Sequence, residues 1–418
     1  MAKSSSAKDS PTKDSPTKDS PTKDALSKDV LTQAPQSKDY PVVVYGASGY
    51  TGSLTCEQLA KLKIPFIAAG RSMEKLEAVV NPLRAQGALC EAWAVSHTPP
   101  ALRELFRGRK VVINISGPFS LLGAAVVDAA LASGCHYIDS TGEQDFMFDM
   151  QREYDSHFRN AGLVLSPSTA YLWGPGIIAA DICLETPGID TLKVVYAPPS
   201  LQTMASLQSM VRLCRRQMYN IEKGELHPLP TGQLRYLPIS NGEKRMALRL
   251  GSGEHTYLIG RPGIQNVDVF FASNNLAAAV PLFATWRQLS KVLSGDMLDR
   301  WSDVVIEKIK KNPGREEPES GRFVVDIEGT GPGGNVQITL NGTSPYLFTG
   351  FLCAITAQEL LERAPLKTGY ASVSQVLGTH HIMKRLEEIG THCSVRVTQA
   401  NVKAEQGSKK PEVADAPA

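Results

Sequence analysis

Three glycines stand three residues apart in the run Tyr45-Gly46-Ala47-Ser48-Gly49-Tyr50-Thr51-Gly52. Glycines at this spacing break no bonds; their use is to bring backbone amides against an anion. Gly46 permits a tight turn, Gly49 lets the main chain approach a pyrophosphate, and Gly52 lets a following helix pack closely on the strand before it. Ser48, Tyr50 and Thr51 fill the loop and would open that helix, whose N-terminus presents amide donors and a positive dipole end. A second chemically telling position is Arg71-Ser72, about twenty residues beyond the glycines, where dinucleotide sites choose their cofactor. An acid there holds a ribose 2′-hydroxyl, whereas an arginine accommodates a 2′-phosphate. Arg71 offers a planar charged fork, Ser72 a hydroxyl, and Lys75 a further charge one turn on. The reading is NADP(H) in preference to NAD; the alternative is that Arg71 is a solvated loop cation.

These groups need a strand before them and a helix after them. Tyr40–Val44 is a short apolar, β-branched run, and Leu54–Ala60 is helix-like. Ile64–Gly70 reads as a second strand, and Met73–Ala85 places Leu76, Val79, Val80 and Leu83 on one helical face. Leu89–Val95 predicts strand three, Ala101–Phe106 a short helix, and Lys110–Ile115 a buried strand four leading into Ser116-Gly117-Pro118-Phe119. Ala124–Ala132 predicts a helix, His136–Asp139 strand five, Gln151–Phe158 a helix, and Gly162–Leu165 strand six. Such alternation implies a parallel sheet covered on both faces, with ligands at the carboxyl ends of its strands. Beyond Pro187-Gly188 the pattern becomes strand-rich: Thr191–Tyr196, Val267–Phe271, Arg322–Ile327 and Val336–Leu340 suggest an antiparallel insertion. Helices near Phe351–Arg363 and Ile382–Gly390 return to the first sheet.

The fold class expected is α/β, a Rossmann-type parallel sheet with an inserted mixed α+β substrate domain. The divisions are a disordered arm at 1–39, a cofactor domain at 40–188, a substrate and dimerisation domain at 189–344, returning helices at 345–395 and a disordered tail at 396–418.

The chain has 418 residues and a formal net charge of +2, so no broad basic field points to nucleic acid. No window approaches the roughly 18 apolar residues of a membrane span. The apolar segment Leu276–Ala284 is short and contains Pro281; it reads as a buried helix, a membrane-surface contact or a homodimer contact. Met1–Ser6 lacks the apolar core of a secretory signal. The 7 cysteines are scattered and form no CxxC pair, which argues for a reduced, cytoplasmic protein without structural zinc or disulfides. Lys8-Asp9-Ser10-Pro11-Thr12 recurs at Lys13–Thr17 and Lys18–Thr22. Those repeats bury nothing and read as disordered, either a solvating tail or a proline-directed phosphorylation region centred on Ser10, Ser15 and Ser20.

Taken in order, Gly46–Gly52, Ala69-Gly70-Arg71, Asn114–Phe119, Tyr137-Ile138-Asp139-Ser140-Thr141-Gly142-Glu143, Gly342–Tyr346, and Leu377-Gly378 with Leu386 resemble the saccharopine dehydrogenase-like oxidoreductases over about residues 40 to 390. The resemblance implies nicotinamide-dependent hydride transfer, with Asn114, Ser116, Gly117, Pro118 and Phe119 near the nicotinamide and Asp139–Glu143 lining the cleft between domains. By themselves, Ser116–Pro118 form a turn after a buried strand, and Asp139 is equally a helix cap. The family's Asp-Pro-Gly-Ile after strand six is Gly174-Pro175-Gly176-Ile177 here, flanked by Tyr171 and Trp173. That departure suggests an aromatic entrance and an acceptor less polar than an amino-acid conjugate, such as an imine, an enone or an enoyl group.

Two rival readings follow from other residues. Tyr219-Asn220-Ile221-Glu222-Lys223 has the Tyr-xxx-Lys spacing of short-chain reductases, yet with 12 tyrosines one such spacing arises by chance. A non-catalytic NADP(H) sensor or scaffold would keep the glycine loop and Arg71 but lack a proton donor. For a reductase, Glu143 and Tyr171 are the candidate catalytic residues, each also readable as structural or substrate-positioning. His136 reads as structural, and His380-His381 lacks a third ligand, so no metal is assigned. The expectation is an NADPH-dependent oxidoreductase passing hydride to a C=N or conjugated C=C of a small molecule.

Overall fold

The structure, a computed structural model, describes residues 40–199, 216–230, 232–240, 242–273, 297 and 322–399. The repeat arm, Cys214, the apolar segment at Leu276–Ala284 and the tail from Lys403 lie outside the described residues.

Strands buried on both faces build the first sheet. Every residue of β1 (Val42–Tyr45), β2 (Phe66–Gly70) and β4 (Val111–Asn114) is buried, which is what a parallel sheet clothed by helices requires. With β3 (Cys90–Ala94), β5 (His136–Asp139), β6 (Val164–Ser166) and β15 (Gly369–Tyr370) they form a 7-stranded sheet in the order β15-β6-β5-β4-β1-β2-β3. All its pairs are parallel. The chain runs outward from β1 through β2 to β3, then crosses back to β4. The strand order therefore reverses between β1 and β4, the place where such sheets open a ligand crevice.

The helices follow from apolar spacing and caps. α1 (Tyr50–Lys61) and α2 (Met73–Ala85) flank β2; in α2 Leu76, Val80 and Leu83 are buried and the Ser72 hydroxyl accepts from Lys75 N at 3.4 Å. α3 (Pro99–Phe106) and α4 (Phe119–Ala132) follow. α5 (Gln144–Asn160) begins well before the predicted Gln151, because Phe146, Met147 and Met150 already continue its buried face. α6 (Gly174–Cys183) leaves the sheet after β6.

A second, 9-stranded sheet carries β7 (Thr191–Ala197), β8 (Met218–Glu222), β9 (Glu225–Leu229), β10 (Leu234–Pro238), β11 (Lys244–Leu250), β12 (Asn266–Ala272), β13 (Phe323–Gly331), β14 (Gly334–Gly342) and β16 (His392–Gln399). Its main order is β10-β11-β12-β7-β13-β14-β16. It is mixed, since β12 runs parallel to β7 while the other pairs are antiparallel. Strand β16 takes Arg396–Gln399 into the ladder beside β14, so these residues are ordered where the sequence pattern set a disordered tail. Between β11 and β12 lies a short helix, α7 (Gly253–Leu258), every residue of which is buried.

The chain returns to the first sheet through α8 (Pro345–Glu362), capped by Ser344, whose hydroxyl accepts from Tyr346 N and Leu347 N, both at 3.2 Å. One apolar cluster runs continuously from β1 and β4 through α8 to β13 and β14.

Candidate functional site

The crevice at the β1/β4 switch is shaped by two glycines. Gly46 has φ +91°, and a Cβ on it would stand 2.9 Å from Ser116 N across the crevice. A Cβ on Gly52 would stand 2.3 Å from Gly46 O, so only glycine lets α1 start this close to β1. Gly46 N and Ala47 N both donate to Ala69 O, at 2.8 and 3.1 Å, which fixes the turn. At the start of α1, Gly49 is the N-cap, no side chain caps the helix, and the first turn holds no acid. The first-turn amides thus keep donors for an anion, which is the fit a pyrophosphate needs.

Arg71 follows the last residue of β2 and is exposed. Ser48 comes close by: its hydroxyl would lie 3.7 Å from a Cβ on Gly70. Ser72 is engaged in capping α2, and Lys75 is exposed on its first turn. Sequence reasoning missed a third member of this corner. His97, after β3, binds the Tyr45 hydroxyl through Nδ1 at 2.9 Å, and the two rings stack with centroids 6.0 Å apart. Burial and the charge of Arg71 push the His97 pKa below that of an ordinary imidazole. A lone histidine beyond a strand gives no signal in the sequence; proximity to Arg71 is a tertiary fact.

Across the crevice, the loop after β4 is held from below by a fully buried polar chain. Asn114 Oδ1 accepts from Ser116 N at 3.0 Å, and Asn114 Nδ2 donates to the Tyr137 hydroxyl at 3.0 Å. That hydroxyl donates to Asp139 Oδ2 at 2.9 Å, while Asp139 Oδ1 accepts from Thr141 N and Ser168 N at 2.9 and 2.8 Å. Asp139 is therefore no helix cap; it clamps the loops after β5 and β6 together. Burial pushes its pKa up to about 7 against the pull of these hydrogen bonds. Asn114 is likewise buried, so it shapes the Ser116 loop from within. The Gly117–Pro118 peptide is cis, with Gly117 exposed and Pro118 half-buried at the rim. The Phe119 ring is buried against Phe146, with centroids 5.9 Å apart, behind the Gly117–Pro118 turn.

The two candidate acids have defined partners. Glu143 accepts from Phe119 N on Oε1 at 2.9 Å and from Ser120 N on Oε2 at 2.8 Å, so its buried carboxylate serves the N-terminus of α4. Tyr171 is buried in an aromatic cluster, its ring 4.9 Å from Phe323 and 5.7 Å from Tyr196. Trp173 is buried beside them, 5.3 Å from Tyr196, and its Nε1 donates to Gly142 O at 3.3 Å. The expected aromatic entrance is corrected accordingly: Tyr171 and Trp173 are core, because the segment after β6 is packed between the two sheets. The apolar residues left at the rim are Pro118, Leu121, which is exposed, and the half-buried Leu172, whose methyl lies 3.4 Å from where a Gly142 Cβ would be.

The other candidates separate. Tyr219 lies on strand β8 with its ring against Phe148, and Lys223 lies in the following turn at φ +52°, so they do not form the helical pair a short-chain reductase uses. His380 and His381 turn to different acids, Glu185 and Glu359, each at 2.8 Å. His136 Nδ1 accepts from Val164 N at 3.0 Å, a structural bond between β5 and β6. The six described cysteines are free thiols.

Two family models match the chain. One, the family of unknown function DUF5938, matches residues 174–401, more than half of the sequence. The chain belongs to this family. The other, the saccharopine dehydrogenase NADP binding domain, matches residues 42–165. This stretch is the first sheet from β1 to β6, so the chain is similar there to the saccharopine dehydrogenases, and its cofactor is NADP(H). A lipid droplet localized protein of Caenorhabditis elegans is 38% identical over 133 residues, covering 30% of this chain and 31% of the relative. The human saccharopine dehydrogenase-like oxidoreductase is 29% identical over 155 residues, covering 33% of this chain and 36% of the relative. The match thus spans about a third of the length of these curated relatives. Saccharopine dehydrogenase (L-Glu forming) from Saccharomyces cerevisiae superposes with a TM-score of 0.59 over 85% of this chain and 99% of that chain, at 12% identity. That likeness is one of fold.

Proposed function

We propose that the chain is an NADPH-dependent reductase that passes hydride to a C=N or conjugated C=C bond of a small, largely apolar molecule. The observation that carries this reading is the crevice itself: an acid-free, uncapped start of α1, an exposed Arg71 beside Ser48, and the Ser116–Pro118 loop meet at one switch point. The pyrophosphate would rest on Gly46–Gly52, the 2′-phosphate at Arg71 and Ser72, and the nicotinamide beside Ser116–Pro118. The bound cofactor supplies the hydride; the protein supplies orientation and a dry cleft. Residues 40–188 form the cofactor half in this proposal, 189–344 the substrate and dimerisation half, and 345–395 the return. The exposed Leu121 and the half-buried Pro118 favour an apolar acceptor. So does a relative from Mycobacterium tuberculosis, a putative trans-acting enoyl reductase, 33% identical over 116 residues, which cover 26% of this chain and 27% of that relative.

Within the same proposal, Glu143 and Tyr171 act as positioning residues, the first on the α4 amides and the second from the aromatic core between the sheets. That arrangement favours a second reading as well, a non-catalytic NADP(H) sensor, since neither side chain presents an exposed proton donor. A cytosolic location belongs to the proposal too. Its check is fractionation against lipid droplets and mitochondria, the compartments named in two relatives.

The deciding experiment is calorimetric titration with NADPH and with NADH, followed by NADPH-oxidation assays on imines and enoyl thioesters. Tight NADPH and weak NADH, with turnover of an acceptor, is the expected result. Tight NADPH without turnover of any acceptor selects the sensor. Arg71→Ala should weaken NADPH by about 1.5–3 kcal/mol, the scale of a lost charge-assisted hydrogen bond, and leave NADH unchanged. Equal losses for both cofactors would remove Arg71 from the 2′-phosphate.

A further inference from the structure

Helix α7 lies between the two sheets, and its Glu254 has 0% of its surface exposed. Two side chains, Tyr196 and Ser252, reach the carboxyl, and the proton count at Tyr196 decides its protonation. Tyr196 Oη, on β7, has three polar neighbours: Gly176 N donates to it at 3.0 Å, the Trp173 carbonyl lies at 3.1 Å, and Glu254 Oε1 lies at 2.6 Å. A phenol owns one proton. If Glu254 were ionised, both it and the Trp173 carbonyl could only accept, and one pair of oxygens would face each other with no proton between them. If Glu254 carries a proton on Oε1, the accounting closes. Glu254 then donates to Tyr196, Tyr196 donates to Trp173 O, and Gly176 N donates to Tyr196. Oε2 is buried with no hydrogen-bonding partner, a tolerable place for a neutral acid and a costly one for a carboxylate.

Among the described residues, no cation offsets a charge there. The titratable groups around the carboxyl are Tyr196 from β7, Tyr171 behind it on the segment after β6, and His255 on α7 itself. His255 Nδ1 accepts from Ser252 N at 3.1 Å and its Nε2 faces Val267 O at 3.1 Å, so it is a neutral imidazole. Burial lowers the His255 pKa to about 4 and holds the Tyr196 phenol well above its ordinary value. Burial likewise pushes Glu254 up to about 7 against the pull of Tyr196 and Ser252.

We propose that Glu254 is a neutral carboxylic acid in the folded protein and a positioning residue: through Tyr196 it fixes the Trp173–Gly176 turn, and its ionisation loosens that turn. The turn reaches the crevice by a short path. Trp173 Nε1 holds Gly142 O, and the next residue, Glu143, holds the α4 amides beside Gly117–Pro118. Space enforces the contact as well, since a Cβ on Gly176 would fall 2.1 Å from Glu254 Oε1. The consequence for the crevice rests on the NADPH reading; the protonation state does not.

The test is infrared spectroscopy of full-length protein carrying 13C-labelled glutamate, titrated across pH 7. Wild type should show a protonated-carboxyl band on the acid side that disappears on the alkaline side, and E254Q should lack it. The amide of E254Q can donate to Tyr196 as the acid does. E254Q should therefore melt close to wild type below pH 7, lose less stability above it, and keep an NADPH affinity that no longer weakens with rising pH. A labelled wild type with no such band at any pH overturns the proposal without any variant having to fold. So does an E254Q melting curve whose pH dependence parallels wild type. If neither protein binds NADPH while the band behaves as stated, the cofactor reading fails and the protonation assignment stands.

Discussion

At the scale of single residues, carboxylates of one kind do opposite work because their surroundings differ. Glu143 sits at a helix start and accepts two amides. Glu143→Ala leaves those amides without an acceptor and should cost about 1–3 kcal/mol, read by urea unfolding, with Glu143→Gln recovering part of it. Asp139 accepts three hydrogen bonds, yet complete burial still raises its pKa to about 7 from an ordinary 3.8. The folded state binds this proton more tightly than the unfolded chain. Its contribution is therefore complete below the ordinary value and is lost as pH rises through about 7. Urea midpoints of wild type should fall across that window, and Asp139→Asn should flatten the fall. An unchanged slope in Asp139→Asn would assign the titration elsewhere. Of these residues, Glu143 was visible in sequence as an acid at the end of a strand–turn motif. Its partners were not, because Phe119 and Ser120 stand 24 and 23 positions away.

At the scale of elements, close approach is set by the residues that lack side chains. A Cβ on Gly350 in α8 would stand 3.0 Å from Thr55 N in α1, so the two helices touch at their backbones. Gly350→Ala must push α1 aside and should cost about 1–3 kcal/mol by chemical denaturation. Because α1 carries the pyrophosphate amides, calorimetry should also show weaker NADPH binding. Loss of stability with unchanged affinity would mean that α1 moves as a rigid body with its loop. The first six strands and the helix α2 were legible because β-branched runs and a 3.6-residue apolar period are local signals. The seventh strand was not: Gly369–Tyr370 is two residues long and is a strand only because Gly369 N and Ala371 N bond Leu163 O and Leu165 O, at 2.8 and 3.0 Å. The edge strand His392–Gln399 was missed for a similar reason, its residues divided in the sequence reading between the returning helices and the tail.

At the scale of the whole molecule, the two sheets are tied by polar side chains as well as by apolar packing. Gln144, at the start of α5, donates to Tyr219 O and Ser252 O at 2.9 and 3.1 Å and accepts from Tyr219 N at 2.9 Å. Tyr257 donates to Pro167 O at 2.5 Å in the same seam. Gln144→Ala should lower global stability by about 1–3 kcal/mol, since it strands buried donors and acceptors on the second sheet. NADPH affinity should survive, because the glycine loop and Arg71 lie in the first sheet. Differential scanning calorimetry with and without NADPH separates the two effects.

What the sequence determined by itself is local in origin: the glycine spacing, the arginine after β2, the alternation of strands and helices, and the turn to a strand-rich insertion. Each is written in neighbouring residues, and backbone sterics and side-chain periodicity suffice to read it. What only the tertiary structure decided is which polar groups meet. Tyr171 and Trp173 became core and not entrance, and His97 joined the corner beside Arg71. Tyr196 and Glu254 met across 58 positions of chain. Such pairings depend on which strands lie side by side and on how much water is excluded around them, and neither is a property of any local stretch of chain.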